Sequence, residues 1–359
     1  MTIGIPKEVK VEEYRVGILP DTVSLLAQKG HQVLVGKSAG LGAGIRDEDY
    51  ERAGAEIVSE ASRIYRRSEL VVKVKEPQPA EYQLLHEGQI VFTFFHFAAN
   101  LEMTKVLLEK KVDCIAYELV EKNGCLPILT PMSEIAGRLA PQQTAKYLEK
   151  EYGGKGVLLS GATGVKPGKV VIIGGGVVGF NAATISAGLG AQVVILEINE
   201  KKIKYLKKNL PANCKVVPSS RENIKKETKD ADAVIGAVLI SGARSPILLK
   251  REDLKEMEPG TVLIDVAIDQ GGCFETSRPT THRNPVYLLD GIVHYCVANM
   301  PGGVPRTSTY ALSYATAPYV LLLAEKGNRT TEQNPDLKKG LAIHNGKIVA
   351  KSLSEILSS

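Results

Sequence analysis

The 359-residue sequence has no tryptophan and only 5 cysteines, at positions 114, 125, 214, 273 and 296. Their number is odd, they are widely scattered and no CxxC pair occurs. Neither a disulfide framework nor a metal site is therefore expected, and reduced thiols in a cytoplasmic protein are the default reading. Long apolar runs are missing as well. The longest, 170–180, spans about 11 residues and contains four glycines, whereas a membrane helix needs about 20. A soluble protein is expected, and nothing at the N-terminus reads as a signal peptide. Charge of one sign is also lacking: 45 basic residues against 40 acidic ones leave a net +5. So small a difference favours neither nucleic acid nor membrane as partner. The densest basic stretch, five lysines over 201–208, reads as the solvated face of a helix. No repeat of 20 to 50 residues is evident. What is present is a globular composition, 44% hydrophobic and 24% charged, long enough for about two domains.

Short apolar runs alternate with helical patterns over the first 130 residues. Strands are expected at 3–5, 32–35, 70–74, 90–94 and 114–117, and helices at 20–29, 47–67 and 101–111. Such alternation implies a mostly parallel sheet covered by helices. A second set opens with a helical stretch over 133–152, kinked at Pro141, followed by strands at 170–173, 193–196, 233–235, 262–265 and 286–289. A Pro/Gly cluster at 301–305 marks a crossover, and 307–326 is apolar at helical spacing but interrupted by Pro318. The tail carries a hairpin signal, Leu341–His344 and Lys347–Ala350 around an Asn345-Gly346 turn, which needs a sheet to join. The expected fold is α/β, with two doubly wound, Rossmann-like parallel-sheet domains and an active-site cleft between them. One is discontinuous, 1–129 plus 303–359, and the other covers 130–302.

The strongest motif is Gly174-Gly175-Gly176-Val177-Val178-Gly179, between a strand and an Ala-rich helix. Gly174 suits a tight turn, Gly176 lets backbone approach a pyrophosphate, and Gly179 allows helix to pack on strand. The helix N-terminus then presents N–H groups to phosphates. The next strand ends in Glu197, about 20 residues on, where a carboxylate accepts ribose hydroxyls and repels a 2′-phosphate. This points to NAD, although Lys201 and Lys202 lie close by.

In open α/β sheets ligands bind beyond the carboxyl ends of the strands. In the first domain those ends bring up Arg15, Lys75, His96 and Glu118. Two cations and a histidine suit a small anionic substrate with a group that gains or loses a proton. Blander readings stand beside each: Arg15 and Lys75 as surface charges, His96 as a hydrogen-bonded core histidine after the apolar run 91–95. Lys73 lies on the same strand as Lys75, further from its end. In the second domain, Asp269 follows the strand 262–265, near the expected nicotinamide position, and either orients water or ammonia or caps a turn. Asn299 and Met300 fall at the crossover. His282 and His294 stay undecided, while His31, His86 and His344 read as surface or turn residues.

These stretches together resemble the alanine dehydrogenases, NAD-dependent enzymes that convert L-alanine and water to pyruvate and ammonium. The similarity spans essentially the whole chain. It rests on Gly4-Ile5-Pro6-Lys7-Glu8 with Arg15-Val16, Val74-Lys75-Glu76-Pro77, Phe92-Thr93-Phe94-Phe95-His96 and Leu129-Thr130-Pro131-Met132-Ser133-Glu134. Further on come Asp269-Gln270-Gly271-Gly272, Arg278-Pro279-Thr280-Thr281-His282 and Val297-Ala298-Asn299-Met300-Pro301. The resemblance implies that Arg15 and Lys75 hold the substrate carboxylate and keto oxygen, that His96 is the general acid/base and that Asp269 is its catalytic partner. It implies that Asn299 positions the substrate and that Met132 lines the pocket. For the cofactor it implies Ser133, Ser219, Val177, Val178, Glu197, Lys202, Val238, Leu239 and Arg278, with backbone at Val266, Ala267, Ile268 and Asp269 and at Val297, Ala298, Asn299 and Met300. Glu197 stands where the family more often has Asp, and Phe94 where some relatives carry Tyr. No metal is implied. A homohexamer is, with L-alanine, pyruvate and ammonium as small-molecule partners. Three other readings are an opine-type dehydrogenase, a transhydrogenase component and a dinucleotide-sensing regulator. The side chains of Phe94 and Met132 argue against the first, the Asp269-Gln270-Gly271-Gly272 run and the His96 context against the second, and the joint presence of Arg15, Lys75, His96 and Asp269 against the third.

Overall fold

The computed structural model describes residues 1–97, 100–238, 245–351 and 353–354. The chain divides into two compact units, Met1–Met132 with Val304–Ser359, and Ser133–Gly303. The first begins with β1 (Thr2–Ile5), β2 (Gln32–Gly36), β3 (Glu56–Val58), β4 (Leu70–Val72), β5 (Ile90–Thr93) and β6 (Asp113–Ala116). The second contains β7 (Lys169–Ile173), β8 (Gln192–Glu197), β9 (Cys214–Pro218), β10 (Ala233–Gly236), β11 (Val262–Asp265), β12 (Val286–Leu289) and β13 (Ile292–Tyr295). The chain then returns to the first unit with β14 (Leu341–His344) and β15 (Lys347–Ile348).

The first sheet has the order β15-β14-β6-β5-β4-β1-β2-β3 and the second β12-β13-β11-β10-β7-β8-β9. Within each, six parallel strands follow the doubly wound order 3-2-1-4-5-6. Neither sheet is wholly parallel, however. β14 runs antiparallel to β6, β15 to β14, and β12 to β13. Both hairpins turn on residues with positive φ, Asn345-Gly346 and Asp290-Gly291, the pairs that fit a tight primed turn.

Alternate residues of β7 serve opposite faces. Val170 and Ile172 pack with Ala182, Ala183 and Ala187 of the helix Val177–Gly188, while Val171 and Ile173 pack with Ile224, Leu254 and Phe274. With both faces covered, such strands read as unbroken apolar runs. Polar residues therefore collect at the strand ends, and above all where the winding reverses, between β1 and β4 and between β7 and β10.

Several sequence expectations need correction. The helix expected over 47–67 is two helices, Asp47–Arg52 and Ala61–Arg67, with β3 between them. Gly54, at φ +98°, ends the first and lets Glu56-Ile57-Val58 extend. The helix placed at 133–152 runs from Leu129 to Tyr147, followed by a separate turn at Lys150–Tyr152. Pro131 sits in its first turn, where a missing N–H breaks no helical bond. Pro305–Lys326 continues through Pro318 as one helix.

Candidate active site

At the first winding reversal, β1 leads into Glu8, Glu13 and Arg15, and β4 into Lys73, Lys75 and Glu76. All six are buried. Buried charges need partners, and here they have them. Lys73, fully buried, lies 3.1 Å from Glu8 Oε2 and 2.8 Å from Glu81 Oε1, and the Tyr65 hydroxyl donates to Glu81 at 2.7 Å. Glu8 Oε1 in turn accepts from the backbone N–H of Val74 at 2.7 Å. This cluster fixes the backbone that presents Lys75. Burial pushes the Glu8 carboxyl up against the pull of Lys73. Lys73 is held above its usual range despite burial, by the charges of Glu8 and Glu81.

Arg15 makes a two-pronged pair with Glu13, Nε to Oε1 at 2.7 Å and Nη2 to Oε2 at 2.6 Å. Its Nη1 lies 3.2 Å from Met132 Sδ. Burial works to raise the Glu13 carboxyl, but the Arg15 charge and hydrogen bonds prevail and hold it at about 2.

His96 follows β5 in a left-handed conformation, φ +50°, which is uncommon for a non-glycine residue. The Glu118 carboxylate supports it by accepting from the N–H groups of Phe95 at 3.0 Å and His96 at 2.8 Å. The His96 ring remains partly exposed, with Nδ1 3.2 Å from Glu76 Oε2. Glu76 also receives the Lys10 ammonium. Although burial opposes ionisation, His96, Lys10 and Lys75 hold the Glu76 carboxyl well below the usual range. Glu8, Glu13, Glu76 and Glu118 therefore orient the expected site residues; only Glu118 had been singled out from sequence. Three of the four lie in or beside the quoted motifs, but pattern alone does not separate them from surface acids.

In the second unit the glycine loop joins β7 to the helix Val177–Gly188. Gly174 has φ +105°, and a Cβ at Gly179 would meet the Gly174 carbonyl oxygen at 1.8 Å. Around a Cβ at Gly176 nothing lies within 4 Å, and no side chain caps this helix. Val177 is exposed and Val178 half-buried. Gly137, on the helix Leu129–Tyr147, has room only for hydrogen beneath the Val178 carbonyl, so that helix, with Ser133 in its first turns, lies close on the loop helix. Glu197 is buried at the end of β8. Its Oε2 accepts from Gly175 N–H at 2.8 Å, and its Oε1 from the N–H groups of Ile198 and Asn199, both at 2.8 Å. The Ser219 N–H donates to the Glu197 carbonyl at 2.9 Å, and Lys202 is exposed nearby on the helix Glu200–Asn209. Val238, after β10, is half-buried beside Gly174; Leu239 lies outside the described residues.

Asp265 ends β11 and ties down the loop after it. It accepts from the N–H groups of Ala267 at 3.0 Å and Cys273 at 2.9 Å and from Ser277 Oγ at 2.6 Å. Val266, Ala267 and Ile268 lead from it to Asp269, which is exposed. The Asn299 N–H points to Asp269 Oδ2 at 3.4 Å. After β13, Val297 and Met300 are buried and Ala298 half-buried. Asn299 stands at φ +67°, its carbonyl accepting from His282 Nε2 at 3.1 Å. His282 thus adjoins this cluster. His294, by contrast, is a core histidine bonded to Ile292 O and Thr276 Oγ1, and burial lowers its basicity. Arg278 is exposed, with its guanidinium 4.3 Å from the Tyr287 ring centroid.

The winding and the glycine loop are those of the Rossmann class. The model for "Alanine dehydrogenase/PNT, N-terminal domain" matches residues 4–136, and that for the corresponding C-terminal domain matches residues 140–351. The chain belongs to the alanine dehydrogenase/PNT family. It is 50% identical to an alanine dehydrogenase of Methanococcus maripaludis, covering 99% of this chain and 96% of that one. It is 48% identical to that of Bacillus subtilis, over 99% and 95%. A solved L-alanine dehydrogenase superposes with a TM-score of 0.95 at 48% identity, covering 100% and 99% of the two chains. A transhydrogenase from Sinorhizobium meliloti superposes at 0.82 with 23% identity, over 98% and 100%, a likeness of fold alone.

Proposed function

We propose that this chain is an NAD-dependent L-alanine dehydrogenase, interconverting L-alanine and water with pyruvate and ammonium. The observation that carries this reading is the near-complete match to alanine dehydrogenases at about half identity, in a chain that retains Arg15, Lys75, His96 and Asp269. The unit 1–132 with 304–359 is assigned to substrate and the unit 133–303 to the dinucleotide. Arg15 and Lys75 bind the substrate carboxylate and keto oxygen, with Met132 beside Arg15. Because Glu13 already holds the Arg15 guanidinium and Glu8 fixes the backbone that carries Lys75, little ordering is left to occur on binding. His96 exchanges protons as water adds to the substrate iminium and ammonia leaves the resulting carbinolamine. Asp269 steadies the cationic substrate and orients water or ammonia, and Asn299 positions the substrate.

The residues present fit a dinucleotide. The open space over Gly176, the uncapped helix and the Glu197 carboxylate at the strand end supply a phosphate cradle and a ribose acceptor. Ser133, Ser219, Lys202, Val238, Leu239 and Arg278 complete that set, with the backbone of 266–269 and 297–300. When bound, NAD supplies the hydride acceptor, or the donor in the amination direction. Glu197→Ala removes the acceptor and leaves the N–H groups of Gly175, Ile198 and Asn199 without their partner. NAD binding is expected to weaken at least tenfold and the preference for NAD over NADP to fall. Steady-state kinetics with both cofactors check this, and an unchanged ratio removes Glu197 from the ribose site.

Among the described residues no helix is long and apolar enough to cross a membrane. A cytoplasmic homohexamer remains the expectation from the family, checked by light scattering. The reading as a whole is tested by incubating the purified chain with pyruvate, ammonium and NADH, and with other 2-oxo acids. Loss of NADH absorbance dependent on pyruvate and ammonium is expected; its absence overturns the assignment.

A further inference from the structure

Glu76 lies between two cations of unequal exposure. Its Oε2 faces His96 Nδ1 at 3.2 Å, and its Oε1 takes the ammonium of Lys10, which is 36% exposed on the loop after β1. The Gln78 amide also reaches Glu76, at 2.9 Å from its carbonyl and 3.2 Å from Oε1. An ionised carboxylate only accepts hydrogen bonds. The pair therefore places a proton on Nδ1 and leaves Nε2 as the ring atom that takes up and releases one. The backbone is fixed separately by Glu118, whose carboxylate holds the N–H groups of Phe95 and His96 in the left-handed turn.

We propose that Glu76 is the positioning residue for His96, fixing its tautomer, and that Lys10 tempers the negative charge Glu76 presents to the ring. This rests on the reading of His96 as the acid–base residue. The charged groups around the Glu76–His96 pair come from three loops: Lys10 after β1 and Lys75 after β4, both acting on Glu76, and Glu118 after β6, which holds the His96 backbone. Two changes at the shared carboxylate therefore act in opposite directions. Removing the Glu76 charge destabilises the imidazolium, whereas removing Lys10 leaves Glu76 less compensated and stabilises it. A merely structural role for either residue produces no such opposition.

The experiment compares wild type, Glu76→Gln and Lys10→Met by following kcat/KM for L-alanine against pH at saturating NAD. Oxidation of alanine needs neutral His96, so the acid limb reports its protonation. The limb is expected to move down by about one pH unit in Glu76→Gln and up by about half a unit in Lys10→Met. Two-bond 1H–15N spectra of ring-labelled histidine supply a readout apart from turnover. Wild type is expected to show the Nδ1–H tautomer at His96, and Glu76→Gln a mixture. If Glu76→Gln fails to fold, Lys10→Met decides alone, since its side chain is partly in solvent. Unmoved limbs, or shifts in the same direction, overturn the proposal. If His96→Asn itself keeps full turnover, the underlying reading of His96 fails; if it is inactive while the profiles coincide, only the present proposal fails.

Discussion

Replacing His96 by alanine is expected to lower kcat for alanine oxidation by about 10²–10⁴-fold, the usual contribution of a positioned acid–base group. The same loss is expected in pyruvate amination, because one group serves both directions. The position sets a condition on the test. His96 stands at φ +50°, a conformation that costs alanine more than asparagine, which visits the left-handed region readily. His96→Asn is therefore the cleaner variant: it keeps the turn and abolishes proton exchange near neutral pH. With Arg15 and Lys75 untouched, KM for pyruvate should change little while kcat collapses, the signature of an interaction used in the chemical steps. Asp269→Asn is expected to fall in kcat as well. Its neighbour contact, the Asn299 N–H at 3.4 Å, remains available to an amide oxygen, so the loss isolates the charge. If both His96 variants keep near wild-type turnover, His96 is not the acid–base residue.

Much of this arrangement is legible in the sequence because strand ends are where an α/β sheet keeps its polar groups. The glycine loop, Glu197 and the cationic residues Arg15 and Lys75 all follow apolar runs that fold as parallel strands. β13, parallel to β11, is less visible, although Leu289-Asp290-Gly291-Ile292 carries the tight-turn signal that joins it to the antiparallel β12. β3 and β9 are the edge strands of their sheets, and each buries a single residue fully, which leaves little apolar pattern to read. Asp269 and Asn299 are each foreseen, but the loop that aims Asp269 is set by Asp265, a strand residue with nothing in its local pattern to mark it. The same holds for the acids around the cations. A glutamate two residues from an arginine, as Glu13 is from Arg15, is on paper an ordinary surface pair. Only the pairing of β1 beside β4 brings Glu8 against Lys73, and only burial in that setting turns the local pair of Glu13 and Arg15 into a fixed one. Such pairings depend on long-range register, which periodicity does not encode.

The largest stability effect is expected at Lys73, beneath the candidate site. Its ammonium is fully buried between Glu8 and Glu81, and Lys73→Met keeps the length and apolar stem while leaving two carboxylates without their shared cation. Breaking a buried ion cluster from one side costs about 3–5 kcal/mol, a large part of the roughly 5–15 kcal/mol that holds a domain folded. Urea unfolding at pH 7 should show this loss as a lower midpoint at unchanged slope. Its pH dependence identifies the cause. In the variant the Glu8 carboxyl, already pushed up by burial, loses the opposing pull of Lys73, so its folded-state pKa lies further above that of the unfolded chain. Between those values the folded state binds more protons than the unfolded one, and stability relative to wild type rises as pH falls. The gap between the two proteins should therefore narrow from pH 7 to pH 5. Adding Glu8→Gln and Glu81→Gln to Lys73→Met removes the stranded charges and should recover most of the midpoint, with the gap now flat in pH. A Lys73→Met protein as stable as wild type at pH 7 would mean that the carboxyls are neutral in the native cluster. The scaffold beneath Lys75 would then be a hydrogen-bonded one rather than an ionic one.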